Sequence, residues 1–155
     1  MSKTLVLPDA VRFGSEQWLN NVETGVGRLE TAAASLTAAD AASLRAATAD
    51  VRASTSFARK MFSGAVSLGT QADDRWVPIA KPGPELAAAI FANGCEFAET
   101  PFALLEQAKV LLAADTYSSF RLEVAHVVAS IFTNLTRAVW NDYPEYAPPG
   151  WGAPK

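Results

Sequence analysis

Glu123 and His126 have the residue types and spacing of a metal-binding motif. They form Glu-x-x-His, which places a carboxylate and an imidazole on the same face of a helix. Helical di-iron bundles use this motif twice, together with two further glutamates, because two irons need about six protein ligands. The chain has a single histidine, so we expect no metal and take His126 as a partly buried or boundary residue. Axial ligation of a haem is an alternative role for His126.

A lone cysteine and a glycine-spaced stretch are the other candidates for chemistry. Cys95 would act as a nucleophile only if the fold placed it beside His126, and most lone cysteines are core residues. The stretch 64–69 has the glycine spacing of a phosphate-binding loop, but it lacks the lysine that would reach the phosphates. No serine lies in a Gly-x-Ser-x-Gly motif. The sequence therefore predicts a protein that is not an enzyme, with no catalytic residue, no metal and no cofactor.

Composition narrows the classes of partner. The chain has 155 residues, of which 50% are hydrophobic, and a formal net charge of −3. These values suit one globular domain and give no electrostatic basis for binding nucleic acid. No stretch approaches the roughly 20 uninterrupted apolar residues of a transmembrane helix, and the N-terminus does not resemble a signal peptide. Since one cysteine makes no intrachain disulfide, we expect a cytoplasmic protein.

The elements that position these residues are helices, because apolar side chains recur at three- and four-residue spacing. The first helical segment runs from Val11 to Leu36. The second begins at Thr37, where Asp40 completes a capping-box-like pattern. The apolar faces are Val11, Trp18, Val22, Val26, Leu29, Ala33 and Leu36 in the first segment, and Leu44, Ala47, Val51, Ala58, Met61, Ala65 and Leu68 in the second.

A loop at residues 69–83 separates these segments from two more. Pro84 suits the first turn of the third helix, and Pro101 either kinks that helix or divides it into 84–99 and 101–113. The apolar faces are Leu86, Ile90, Phe97, Leu104, Ala108 and Leu111 in the third segment, and Tyr117, Phe120, Val124, Val127, Ile131, Leu135 and Ala138 in the last. The pattern predicts an all-α, antiparallel bundle of four to five amphipathic helices within a single domain at residues 1–142.

Residues 143–155 form a Pro-rich C-terminal tail outside this domain. Its prolines and glycines cannot continue a helix, so we expect an extended or polyproline-like segment. Two roles are open for its aromatic residues, Tyr143, Tyr146 and Trp151. The tail either lies along its own bundle or is disordered, or it docks into a groove of a protein partner.

Residues 86–140 resemble phasins, the proteins that coat polyhydroxyalkanoate storage granules. Phasins typically have a helix ending in small residues, a short polar turn, and then a helix rich in spaced leucines and phenylalanines. The chain has a similar arrangement in Phe97 through Leu112, the turn Ala113-Ala-Asp-Thr-Tyr-Ser-Ser119, and the helix from Phe120 to Val139. Phe132 and Leu135 lie at the register that the family pattern expects.

This resemblance implies a non-enzymatic coat whose helices lay apolar faces on a hydrophobic polymer or lipid surface. A few large apolar side chains, each worth roughly 1.5 to 3 kcal/mol when buried, would hold such a protein at an interface. The strongest apolar face lies on the last helix, and we also expect self-association into a homo-oligomer. The residues predicted to bind the surface or a partner are Phe120, Val124, Ile131 and Leu135.

Three other interpretations remain open at this stage. The same apolar faces pack against one another when a four-helix bundle is closed, and helical apolar spacing more often marks a core than a binding surface. The chain could instead be a protein-protein interaction module that uses its C-terminal tail. It could also be a small-ligand-binding bundle with a pocket tuned by His126 or Cys95. The side chains expected to line that pocket are Trp18, Phe57, Phe62, Phe91 and Phe132.

Overall fold

The computed structural model describes residues 4–67, 77–79, 81–97 and 101–147, and for residues 94–97 it describes the backbone alone. Helices dominate these ranges, which confirms the predicted all-α bundle. The α-helices are α1 Asp9–Ala32, α2 Ala38–Phe62, α3 Pro84–Phe97, α4 Phe102–Leu111, α5 Ala114–Ile131 and α6 Arg137–Asp142.

Shorter helical turns complete the architecture. A 3-10 turn, Ala33–Ser35, extends α1, and a second, Pro144–Tyr146, follows α6. A five-residue π-helical segment, Phe132–Thr136, joins α5 directly to α6. Because α5, this π segment and α6 continue one another, the described chain forms five helical rods, within the predicted range of four to five.

The rods are arranged as a bundle with four corners. Helix α1 contacts α2, α3 and α4, while α5 contacts α2 and α4. Helices α3 and α4 therefore share one corner between α1 and α5. The side chains of Glu16 and Arg59 meet, as do those of Glu30 and Arg52, so α1 and α2 are antiparallel.

Local sequence explains the limits of α2. The Thr37 hydroxyl accepts a hydrogen bond from the Asp40 backbone N–H at 3.2 Å, which confirms the predicted N-terminal cap. At the other end Gly64 adopts φ +78°, a left-handed conformation that favours glycine. The Ala65 N–H then bonds to the Lys60 carbonyl and the Gly64 N–H to the Met61 carbonyl, which is a Schellman motif.

This motif corrects the expected apolar face of the second helix. The face was expected to continue to Ala65 and Leu68, but the helix ends at Phe62, and Ala65 lies exposed beyond it. Leu68 lies outside the described residues. The reason is local, because a left-handed residue at position 64 turns the chain away from the helix axis.

Proline sets the limits of α3 and α4. Helix α3 begins at Pro84, as expected, and ends at Phe97. Helix α4 begins at Phe102 with Pro101 as its N-terminal cap residue, so the third segment is two helices and not one kinked helix. Leu111 was expected on the apolar face, but as the last residue of α4 it is 48% exposed. The side chain of Phe97 lies outside the described residues.

The core draws on every α-helix and on the N-terminal segment. Most predicted face residues of α1, α2 and α5 are buried, including Val22, Leu44 and Val127, which are fully buried. The extended residues before α1 also contribute, since Leu5 and Leu7 are buried while Val6 between them is exposed. Within the described ranges, none of the helices combines the length and the apolar character needed to cross a membrane.

Candidate functional site

The four residues predicted to bind a surface lie together on the inner face of the rod formed by α5 and the π segment. Phe120, Val124, Ile131 and Leu135 are each at most 1% exposed. The Phe120 ring packs on Phe62 of α2, with ring centroids 5.1 Å apart. In the closed bundle these four side chains belong to the core, so they reach a surface or a partner only when α5 separates from α2.

A polar cluster interrupts this apolar face at the π segment. The Asn134 side chain is fully buried, and its amide Nδ2 donates to Asp50 Oδ2 of α2 at 2.5 Å and to Ser130 Oγ at 3.2 Å. Ser130 is also fully buried, and its hydroxyl lies 3.5 Å from the same Asp50 oxygen. The cluster therefore joins α2 to α5 through polar contacts inside the core.

Asn134 also holds the segment 77–79 against the bundle. Its side-chain oxygen accepts a hydrogen bond from the Val77 N–H at 2.7 Å, and its backbone carbonyl accepts one from the Ile79 N–H at 3.3 Å. The Ile79 side chain is buried, whereas Val77 is 37% exposed. One asparagine thus links three parts of the fold: α2, the π segment and the segment 77–79.

The sequence contained a signal for this cluster that our sequence analysis did not use. Ser130 and Asn134 are four residues apart and follow Val127 at helical spacing, so two polar residues share the buried face of the last helix. Buried polar groups cost free energy unless they are hydrogen-bonded. Such residues on an apolar face predict a polar partner on a neighbouring helix, which here is Asp50.

The motif Glu123 and His126 does not gather further ligands. Glu123 is buried and His126 half-buried on α5. In the described part of the chain, no group of three or more histidine, cysteine, aspartate and glutamate side chains is close enough to hold a metal ion. The side chain of Cys95, which would act as a nucleophile only beside His126, lies outside the described residues.

The aromatic residues expected to line a pocket are dispersed. Phe62 is in the core, whereas Phe91 is 46% exposed and stacks on Tyr146 with ring centroids 4.6 Å apart. Phe132 instead packs against Trp140, at 5.7 Å. Because Phe91 lies at the surface, these residues do not enclose one shared cavity.

The start of the C-terminal tail lies along the bundle, which is one of the two roles considered for it. The Tyr143 hydroxyl donates to the Pro82 carbonyl at 3.0 Å, and both Tyr143 and Tyr146 pack on the core. Residues 144–146 form a 3-10 turn where we expected extended chain, since proline suits the first position of such a turn. Trp151 lies outside the described residues.

Helix α4 has an unusual outer face. Its inner side buries Leu104 and Ala108, yet Phe102 is 70% exposed and Val110 is 83% exposed. One acidic residue and one basic residue, Glu106 and Lys109, are its charged side chains. A surface helix ordinarily has a polar outer face, and a helix that is apolar all round is ordinarily buried. The outer face of α4 therefore combines two large exposed apolar side chains with exposed polar ones, among them Glu106 between Phe102 and Val110.

Ion pairs fasten α1 to α2 along the outside of the bundle. Arg59 pairs with Glu16 and with Glu23, the latter at 3.1 Å. Arg52 pairs with Glu30, and this hydrogen bond raises the pKa of Arg52 above its ordinary value. These contacts do not involve α5.

Comparison of the chain with family models, with curated proteins and with solved structures finds no match.

Proposed function

We propose that the protein associates with a hydrophobic surface, as a phasin-like coat of polyhydroxyalkanoate granules in the cytoplasm, and that α4 makes the first contact. The role is one of binding and not of catalysis. One observation supports it most strongly, namely the exposure of Phe102 and Val110 on a helix that lies at the surface of the closed bundle.

Energetics favour α4 as the docking element. Phe102, Val110 and Leu111 are all large, apolar and about half or more exposed. Covering each such side chain fully is worth roughly 1.5 to 3 kcal/mol. An extended apolar surface covers Phe102 and Val110 together, because they lie on one side of α4, and it requires no pocket of matching shape. The small net charge of −3 adds little electrostatic repulsion from an anionic surface.

The inner face of α5 supplies a second stage in this proposal. Phe120, Val124, Ile131 and Leu135 are core residues in free solution, and they contact the granule after the bundle opens on it. Amphipathic helices commonly bind interfaces in this way, with the apolar face inward and the polar face in water. A closed bundle that docks and then opens is consistent with both a stable fold and surface binding.

A variant pair tests the docking step. Phe102→Ser combined with Val110→Ser removes the outer apolar face of α4, and Leu122→Ser is the matched control because Leu122 is 62% exposed on α5. We expect the double variant to bind polyhydroxyalkanoate particles about tenfold more weakly or worse, and the control to bind nearly as the wild type. Wild-type binding by the double variant would rule out α4 as the docking element.

A second copy of the chain would cover the same face, which connects α4 to the expected homo-oligomer. The same double variant distinguishes the two partners in sedimentation experiments without particles. If α4 pairs with a second copy, the double variant is monomeric at concentrations where the wild type is a dimer. If the granule is the partner, both proteins sediment alike.

A further inference from the structure

We propose that Asn134 is a latch that controls whether α5 and the segment 77–79 separate from the rest of the bundle. The latch is a property of the free protein, and its effect on surface binding rests on the function proposed above. The polar cluster of Asp50, Ser130 and Asn134 holds α2 to the rod of α5 and the π segment, next to apolar contacts such as that of Phe62 with Phe120.

The cluster releases as a unit because Asn134 and Ser130 are fully buried and Asp50 is half-buried. Asn134 is fully buried next to Leu135, and both its amide nitrogen and its side-chain oxygen are hydrogen-bonded. If α2 withdraws Asp50, the Asn134 amide loses its strongest partner in a poorly solvated site. An unsatisfied buried amide costs free energy, so water must enter the site. The remaining hydrogen bonds of the cluster then no longer stabilise the closed arrangement. Closed and open arrangements are therefore favoured over a partly open one.

The rod formed by α5, the π segment and α6 changes conformation at the π segment. The Arg137 N–H bonds to the Phe132 carbonyl five residues earlier, so one residue more than in an α-helix is accommodated in this turn. Such turns are rare and occur frequently at functional positions in helices. With Asn134 inside the π turn, loss of its contacts frees this turn to revert toward α-helical hydrogen bonding and rotates α6 relative to α5.

Opening at the latch leaves α1 and α2 together. Arg59 and Arg52 tie these two helices through glutamates of α1, outside the interface with α5. The inner faces of α5 would thus become accessible while the α1 and α2 pair keeps its structure. This is the exposed apolar surface that the second stage of surface binding needs.

Amide hydrogen exchange of the full-length protein tests the latch without any particle. The variant is Asn134→Ala, and the matched control is Asn93→Ala, whose side chain makes a local bond to the Ala89 carbonyl of its own helix. We expect the Ile79 amide and the amides of 135–139 to exchange about tenfold faster or more in Asn134→Ala, with α1 and α2 unchanged. The Val77 amide is left out of this comparison, because the substitution itself removes its hydrogen-bond acceptor, the Asn134 side-chain oxygen.

Two results would overturn the proposal. One is unchanged exchange at Ile79 and 135–139. The other is a uniform increase throughout α1 and α2 as well, because that pattern means that Asn134 contributes only to global stability. If Asn134→Ala does not fold, Asp50→Ala removes the same contact from a half-buried position on α2, and Asp50→Asn restores an acceptor for Asn134. Faster exchange in Asp50→Ala and not in Asp50→Asn supports the latch.

Particle binding then separates this inference from the proposed function. In polyhydroxyalkanoate co-sedimentation, we expect a variant without the latch to bind particles faster, by about the factor by which its amide exchange is accelerated. The final amount of protein bound should be similar. If the exchange result holds and the wild type does not bind particles, the latch stands and the proposed function fails. If the wild type binds and the latch variants bind at the wild-type rate, the latch does not control surface binding.

Discussion

At the scale of single residues, burial divides the large apolar side chains into those that hold the fold together and those free to contact a partner. Phe120 and Ile131 belong to the first group, and Phe13 and Phe102 to the second. The sequence predicted a binding role for residues of the first group, such as Phe120 and Ile131, because helical spacing identifies an apolar face but not what covers it. A charged replacement at Val124 would therefore break the core and give no information on surface binding.

Truncation of Phe120 tests this division. Phe120→Ala leaves a cavity beside Phe62, and we expect the free energy of unfolding to fall by about 3 to 5 kcal/mol. Phe13→Ala is the control, because Phe13 is 66% exposed on α1 and its loss should change stability by less than about 0.5 kcal/mol. Urea unfolding followed by circular dichroism measures both. Equal, small losses would mean that Phe120 is not a core residue.

At the scale of elements, helix limits depend on a few residues with special backbone requirements. Thr37 and Pro84 were recognised in advance because caps and first-turn prolines have strong sequence signatures. The end of α2 at Gly64 was missed, since an apolar spacing that happens to continue through Ala65 conceals a Schellman motif. The π segment was missed because Ala138 and Val139 are both apolar, so the pattern continued to Ala138 while the inserted residue places Val139 in the core.

Two glycine substitutions with opposite expected signs test the end of α2. Gly64→Ala places a Cβ in a left-handed backbone, 3.4 Å from the Leu5 carbonyl, and should destabilise the fold by about 1 kcal/mol or more. Gly27→Ala lies inside α1 with no closer neighbour than Arg52 at 3.9 Å, and should stabilise it by about 0.5 to 1 kcal/mol. Thermal unfolding compares them, and a stabilising Gly64→Ala would contradict the motif.

At the scale of the whole molecule, the sequence predicted the class of fold correctly but not which large apolar side chains remain exposed. Periodicity and caps define which residues face inward, so the bundle and most of its core could be anticipated. Which helix remains uncovered depends on how the rods pack around the bundle, and the apolar outer face of α4 became visible only with that packing. The polar cluster at Asn134 likewise depends on the partner that α2 supplies.

The proposed function requires the folded protein to bind an extended hydrophobic surface. Co-sedimentation of the wild-type protein with polyhydroxyalkanoate particles tests it most directly, with neutral lipid droplets as a second surface and a folded protein of similar charge as the control. We expect strong retention of the wild-type protein on the polymer and little retention of the control protein. Recovery of the protein in the supernatant at the same level as the control would contradict it, and would leave the outer face of α4 to a protein partner.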